Sequence, residues 1–175
     1  MPSEQITETV RARVRENPSL MPRGLAEELG VSEAEIIRSL PEDMRVEARA
    51  QDFETIWEVM CGWEKVTFIA VNPGVIVEVP CRLPKGRAAH GMFNLLDKNS
   101  PLGGHIFADT VAQIWLVSKP FFGLESHSVQ FFDAAGGILF SVYAGRDERR
   151  AILDSVRTGF LALRARYEPS TGGAQ

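Results

Sequence analysis

A chain of 175 residues with 45% hydrophobic and 24% charged residues has the balance of a soluble domain with one main core, long enough to bury roughly 70% of its unfolded surface. A formal net charge of −4 argues against broad attraction to phosphate backbones, and two cysteines without a C-x-x-C pair point to neither a disulfide framework nor a structural zinc site. No run approaches the ~20 apolar residues of a membrane span and the first residues lack the apolar core of a signal peptide, so the expectation is a cytoplasmic protein with no stable membrane insertion and no nucleic-acid partner.

Ile6, Val10 and Val14 recur at helical spacing, and Asn17-Pro18 ends that first helix. From Pro22 to Leu40, LAEELGVSEAEIIRSL reads as a helix, a turn at Gly30, an N-cap at Ser32 with Glu35 three residues on, and a second helix. This is a helix-turn-helix pattern, so a DNA-binding regulator has to be weighed. Against it, Glu33 and Glu35 stand where a recognition helix would meet phosphates. Phe53, Ile56, Trp57 and Met60 make another amphipathic helix, stopped near Gly62. The period then changes to strands over 64–71, 75–81, 88–95, 104–108, 111–118, 127–133 and 137–144. Short connections between them predict an antiparallel sheet. Ile152, Leu153, Val156, Phe160 and Leu163 form an apolar stripe on a final helix. The organisation expected is an N-terminal helical region at 1–51, packed as one unit with an α+β domain at 52–168, and a disordered tail at 169–175.

Within the strand region stand HGMFNLL at 90–96, GHIFAD at 104–109, KPFFG at 119–123 and YAGRD at 143–147. With IWEVMCGWEKVT at 56–67 and FFDAAGGILFSVY at 131–143, in this order and spacing, the chain resembles the ChuX/HutX family of intracellular haem-utilisation proteins. That family is related to one half of the HemS/ChuS haem proteins. The resemblance spans roughly residues 17 to 163. It implies a large curved antiparallel sheet packed with helices, haem b as the bound group, a homodimer, and a carrier that passes haem to a receiving or degrading protein. Similar helical hairpins pack beside the sheet in that family, which favours a structural or dimerising role for the N-terminal one.

A haem site needs an iron ligand, apolar surface for the macrocycle and cationic or hydrogen-bonding groups for two propionates. Three histidines narrow the ligand: His90, His105 and His127. His105 follows Gly103-Gly104, where small residues let a flat ligand approach, and it matches the histidine proposed as a ligand in ChuX-like relatives. By its residues alone it also reads as an exposed loop-end histidine. His90 is the alternative or second ligand, and His127, alternating with Val129 and Phe131, reads as structural. Some relatives carry a second histidine in the strand matching 66–71, where this chain has Val71, which cannot bind iron.

A period of two places Leu139, Ser141 and Tyr143 on one face of their strand and Ile138, Phe140 and Val142 on the other. Lys119 ends the preceding strand on the face of Gln113, Trp115 and Val117, and Arg146 lies just past the strand end of Tyr143. The resemblance to HemS-like proteins implies that Lys119, Tyr143 and Arg146 hold the haem carboxylates, a task suited to a point charge, a phenol donor and a guanidinium fork. No carboxylate pair or His-Asp couple stands at catalytic spacing. A haem-degrading or tetrapyrrole-modifying enzyme is the runner-up.

Overall fold

In the computed structural model, which describes residues 2–169, five α-helices and nine strands among those residues build two layers of core around one large sheet. Helix α1 (Glu4–Glu16) starts where Ser3 accepts a hydrogen bond from the Ile6 N–H and buries Val10 and Val14. Helix α2 (Pro22–Leu29) ends at Gly30, whose φ of 67° is the left-handed conformation that favours glycine. Helix α3 (Glu33–Ser39) opens with a complete capping box: Ser32 Oγ accepts from the Glu35 N–H, and the Glu35 carboxylate accepts from the Ser32 N–H. Its Ala34 N–H donates to the Gly136 carbonyl at 3.1 Å, tying the helix to a sheet turn. Ser32→Ala should therefore cost about 1 kcal/mol. In urea unfolding the midpoint would fall at constant slope.

The large sheet has the order β1-β7-β8-β9-β2-β3, every pair antiparallel. Its strands are β1 (Arg45–Ala48), β2 (Val66–Asn72), β3 (Val75–Cys81), β7 (Gln113–Ser118), β8 (His127–Phe132) and β9 (Ile138–Ala144). Three further strands, β4 (Gly86–Ala89), β5 (Met92–Leu95) and β6 (Gly104–Ile106), make a second, small sheet. Helices α4 (Phe53–Cys61) and α5 (Asp154–Ala165) pack beside it.

One core lies between the large sheet on one side and α4, α5 and the small sheet on the other. Its centre is a run of aromatic rings in which Phe93 meets Phe53 at 5.2 Å and Phe53 meets Phe131 at 5.8 Å between centroids. A second core lies on the opposite sheet face, where Val10, Val14, Leu25, Ile36 and Ile37 of the N-terminal helices cover Trp115, Val117 and Phe132. Helix α3, in the position of a recognition helix, thus turns its apolar side chains into the protein.

Several expectations from the sequence need correction. The run 88–95 is a hairpin, because His90 (φ 55°) and Gly91 (φ 74°) form a two-residue turn between Ala89 and Met92. Strand β1, within the N-terminal region expected to be helical, is too short to show a period; it pairs with β7 and ties that region into the sheet. Trp115 and Val117 are core, since β7 is an inner strand covered on both faces. A register shift at Phe131/Phe132 breaks the alternation at the start of β9, so Leu139 packs into the first core and Ile138 against the second. The C-terminal helix starts at Asp154, leaving Ile152 to bridge Arg146 ahead of it. Of the tail expected at 169–175, residues 170–175 lie outside those described.

Candidate functional site

The N-terminal helices cover their sheet face from β7 as far as Phe132 of β8 and Ile138 at the start of β9, and the part beyond, towards β2 and β3, floors a groove. Thr67 and Ile69 of β2, Glu78 and Pro80 of β3, Tyr143 of β9 and Ser126 surround a cleft of about 430 Å³, closed by Met21, Phe121, Lys65 and Arg146. Along the same face, Val71 continues into a second cleft of about 580 Å³ walled by Arg23, Ala26 and Glu27 of α2. These sizes are those of small-molecule sites. Between the covered and open parts the sheet carries Ser126, Ser128, Gln130 and Ser141, all buried, where an ordinary core would place apolar residues. Gln130 donates to Ser128 Oγ at 3.0 Å. Of these, only Ser141 was legible in the sequence, through its strand period with Tyr143; Ser126, Ser128 and Gln130 were not, because only the β7-β8-β9-β2 register lines them up with it.

Tyr143 pairs with Ser128 on one side and Thr67 on the other, and its phenol hydrogen-bonds Ser128. Burial pushes the phenol pKa up, so it stays a proton donor at neutral pH. Lys119 continues the β7–β8 ladder, its N–H donating to the Ser126 carbonyl at 3.1 Å, on the face of Val117 and Tyr143. It is 9% exposed, its side-chain amine has no hydrogen-bond or ion-pair partner among the described residues, and burial pulls its pKa down to about 8. Arg146 makes no ion pair among the described residues. Its Nη1 and Nη2 donate to the carbonyls of Arg150 at 2.8 Å and Glu125 at 2.6 Å, which hold the guanidinium at the cleft wall. Lys65 Nζ donates to the Arg146 carbonyl at 3.1 Å and adds a cation that the sequence reading missed. Gly145 makes this possible: a Cβ there would sit 2.2 Å from the Lys65 carbonyl oxygen.

The histidines lie elsewhere. His105 of β6 alternates with Ile106, which packs on the first core, so its ring is on the outer face of the small sheet. There His105 Nδ1 meets Asn94 Oδ1 at 2.7 Å, while Asn94 Nδ2 donates to the carbonyls of Arg87, Ala89 and Met92. Those three acceptors set the orientation of the amide, so its oxygen accepts from Nδ1–H, and in the neutral ring the lone pair then lies on Nε2. That is the state of a metal-ligating imidazole oriented by a neighbour. His90 is exposed in the hairpin turn, a position whose backbone suits His among non-glycine residues. His127 is buried, bonded to Ser118 Oγ at 2.9 Å and Glu125 Oε1 at 2.8 Å, and stacked on Phe160. Burial lowers its pKa, and its role is structural.

The structure therefore brings Lys119, Tyr143 and Arg146 to one sheet face but does not bring His105 or His90 to them. The large sheet, the aromatic core and the small sheet stand between the two groups of one chain.

The chain matches the Haem utilisation ChuX/HutX family model over residues 46–163. It is 36% identical over 165 residues to the Intracellular heme transport protein HutX of Vibrio cholerae, covering 94% of this chain and 86% of that one. The chain belongs to the ChuX/HutX family. Its fold superposes on that of the Heme Binding Protein ChuX with a TM-score of 0.83 at 29% identity, over 94% of this chain and 99% of ChuX. The likeness extends, as fold alone, to holo-PhuS of Pseudomonas aeruginosa, with a TM-score of 0.72 at 17% identity over 85% of this chain but only 44% of PhuS. ChuX/HutX architecture thus occupies about half the length of that longer protein. The α+β fold implied by the motifs is the one found, and no helix among the described residues is long and apolar enough to cross a membrane.

Proposed function

We propose that this protein binds haem b in the groove beside α2 and carries it, inside the cell, to a protein that uses or degrades it. The observation that carries this reading is Lys119: a buried cation with no ion-pair partner among the described residues, on the sheet face of Tyr143 and joined through its backbone to Ser126, which lines the cleft together with Tyr143 and Arg146. A planar group with two carboxylates supplies what that arrangement lacks. Membership of the ChuX/HutX family and the named role of HutX support the same ligand. Ile69 and Val71 offer apolar floor to the macrocycle, while Lys119, Tyr143, Lys65 and Arg146 take the propionates.

The iron ligand in this reading is His105, through Nε2, and it comes from a second copy. A single chain presents His105 and the groove on opposite sides, so one haem touches both only in a homodimer, where each copy completes the other's site. The half-length relation to PhuS supports such a pairing.

Purified protein should bind hemin near one per chain with a displaced Soret band, and a titration matching that of an unrelated acidic protein would end the proposal. Mixed with excess apo-myoglobin, loaded protein should give up its haem while total haem, read as pyridine haemochrome, stays constant. A defined linear tetrapyrrole formed with catalase present would make the protein a haem-degrading enzyme instead.

A further inference from the structure

Two residues at the mouth of the groove break local rules of backbone structure, and they do so side by side. Phe121 and Leu124 exchange backbone hydrogen bonds at 2.9 and 3.0 Å, leaving Phe122 and Gly123 as the two residues of a tight hairpin turn. Both have positive φ, 48° and 73°. Such a turn favours Asn-Gly or Gly-Gly, and a phenylalanine in the left-handed region is strained. Nothing in the core compensates, for Phe122 is 72% exposed, the most exposed large hydrophobic side chain among the described residues. On the facing element, Met21 is the N-cap of α2, a position that favours Ser, Thr, Asp or Asn. It makes no side-chain cap and is 53% exposed. Met21 lines the 430 Å³ cleft with Phe121, and it lines the neighbouring depression between α1 and α2 with Phe122.

Strained or ill-suited residues persist where function needs them, and here two unrelated elements spend local stability to hold apolar side chains in water beside one groove. We propose that Met21, Phe121 and Phe122 form an apolar clamp that closes over the exposed face of a flat macrocycle held by Lys119, Tyr143 and Arg146. This rests on the haem reading above. An aromatic ring and a thioether both suit the face of a π-system, and neither needs the iron.

The test uses substitutions that improve the backbone while removing the clamp. Phe122→Asn relieves the left-handed turn and Met21→Ser supplies an N-cap. Each should raise the Tm of the apo-protein by about 2–4 °C and speed hemin loss to apo-myoglobin about tenfold. Metal-free protoporphyrin should be lost faster by a similar factor, because the clamp grips the ring. A lower Tm in both variants would show that the residues support the fold, and unchanged release of both porphyrins would show that they do not touch the ligand; either result overturns the clamp. Wild-type protein that fails to bind hemin would instead end the haem reading itself, which separates the two failures.

Discussion

Replacing Lys119 by methionine should stabilise the apo-protein by about 3 kcal/mol and weaken hemin binding about tenfold or more. Both effects come from one buried charge. The amine falls from the ordinary 10.5 to about 8 in the fold because burial disfavours its charged form. At neutral pH the folded chain therefore bears the cost of that shift, roughly 1.4 kcal/mol per unit. Methionine has a similar length and no charge to desolvate, so Tm should rise by roughly 6–12 °C. The pH dependence has a definite sign. Between pH 8 and 10.5 the unfolded chain keeps a proton that the folded one has lost, so wild-type apo stability should rise with pH across that window, and the rise should vanish in Lys119→Met. Hemin binding should run the other way, weakening above pH 8 as the amine proposed to meet the propionates is neutralised. Haem dimethyl ester, without charged propionates, should bind wild type and variant alike. If Lys119→Met is less stable and keeps its affinity for hemin, the lysine is a structural group and the clamp on the carboxylates is wrong.

His105→Ala should displace the Soret band and weaken hemin binding at least tenfold, while His127→Ala should leave the spectrum in place and lower stability. Asn94→Ala should fall between wild type and His105→Ala, since a lost orienting partner typically costs about ten- to a hundredfold in metal affinity. A shared site makes a sharper demand. Chains carrying His105→Ala and chains carrying Arg146→Ala each lack one half of every site. Mixed and allowed to re-pair, they should regain about a quarter of the wild-type sites, the share expected when isologous dimers re-form at random. If the site lay within one chain, every chain in the mixture would still hold a defect, and no tight binding would return. Size-exclusion chromatography with light scattering on the same samples reports whether pairing occurred.

The sequence by itself determined the helices and most strands. Val10 and Val14, the Ser32–Glu35 capping box, and the Phe53, Ile56, Trp57 and Met60 stripe are signals contained within one or two turns of chain. Its motifs also determined the family. Local periodicity failed where partners distant in sequence decide the outcome: β1 is a strand because β7 lies beside it, and Trp115 is buried because helices far upstream fold over β7. The residues of the site were legible one at a time, but their grouping was not. Strand period could say that Ser141 and Tyr143 share a face; only the order β7-β8-β9-β2 could align Lys119, Ser126, Ser128, Gln130 and Thr67 with them. The separation of His105 from that face is likewise a tertiary fact. A histidine thirty-eight residues before Tyr143 in the chain can stand beside it or across the core from it. Here β4, β5 and β6 pair only with one another, forming a sheet of their own that places an aromatic layer between the two.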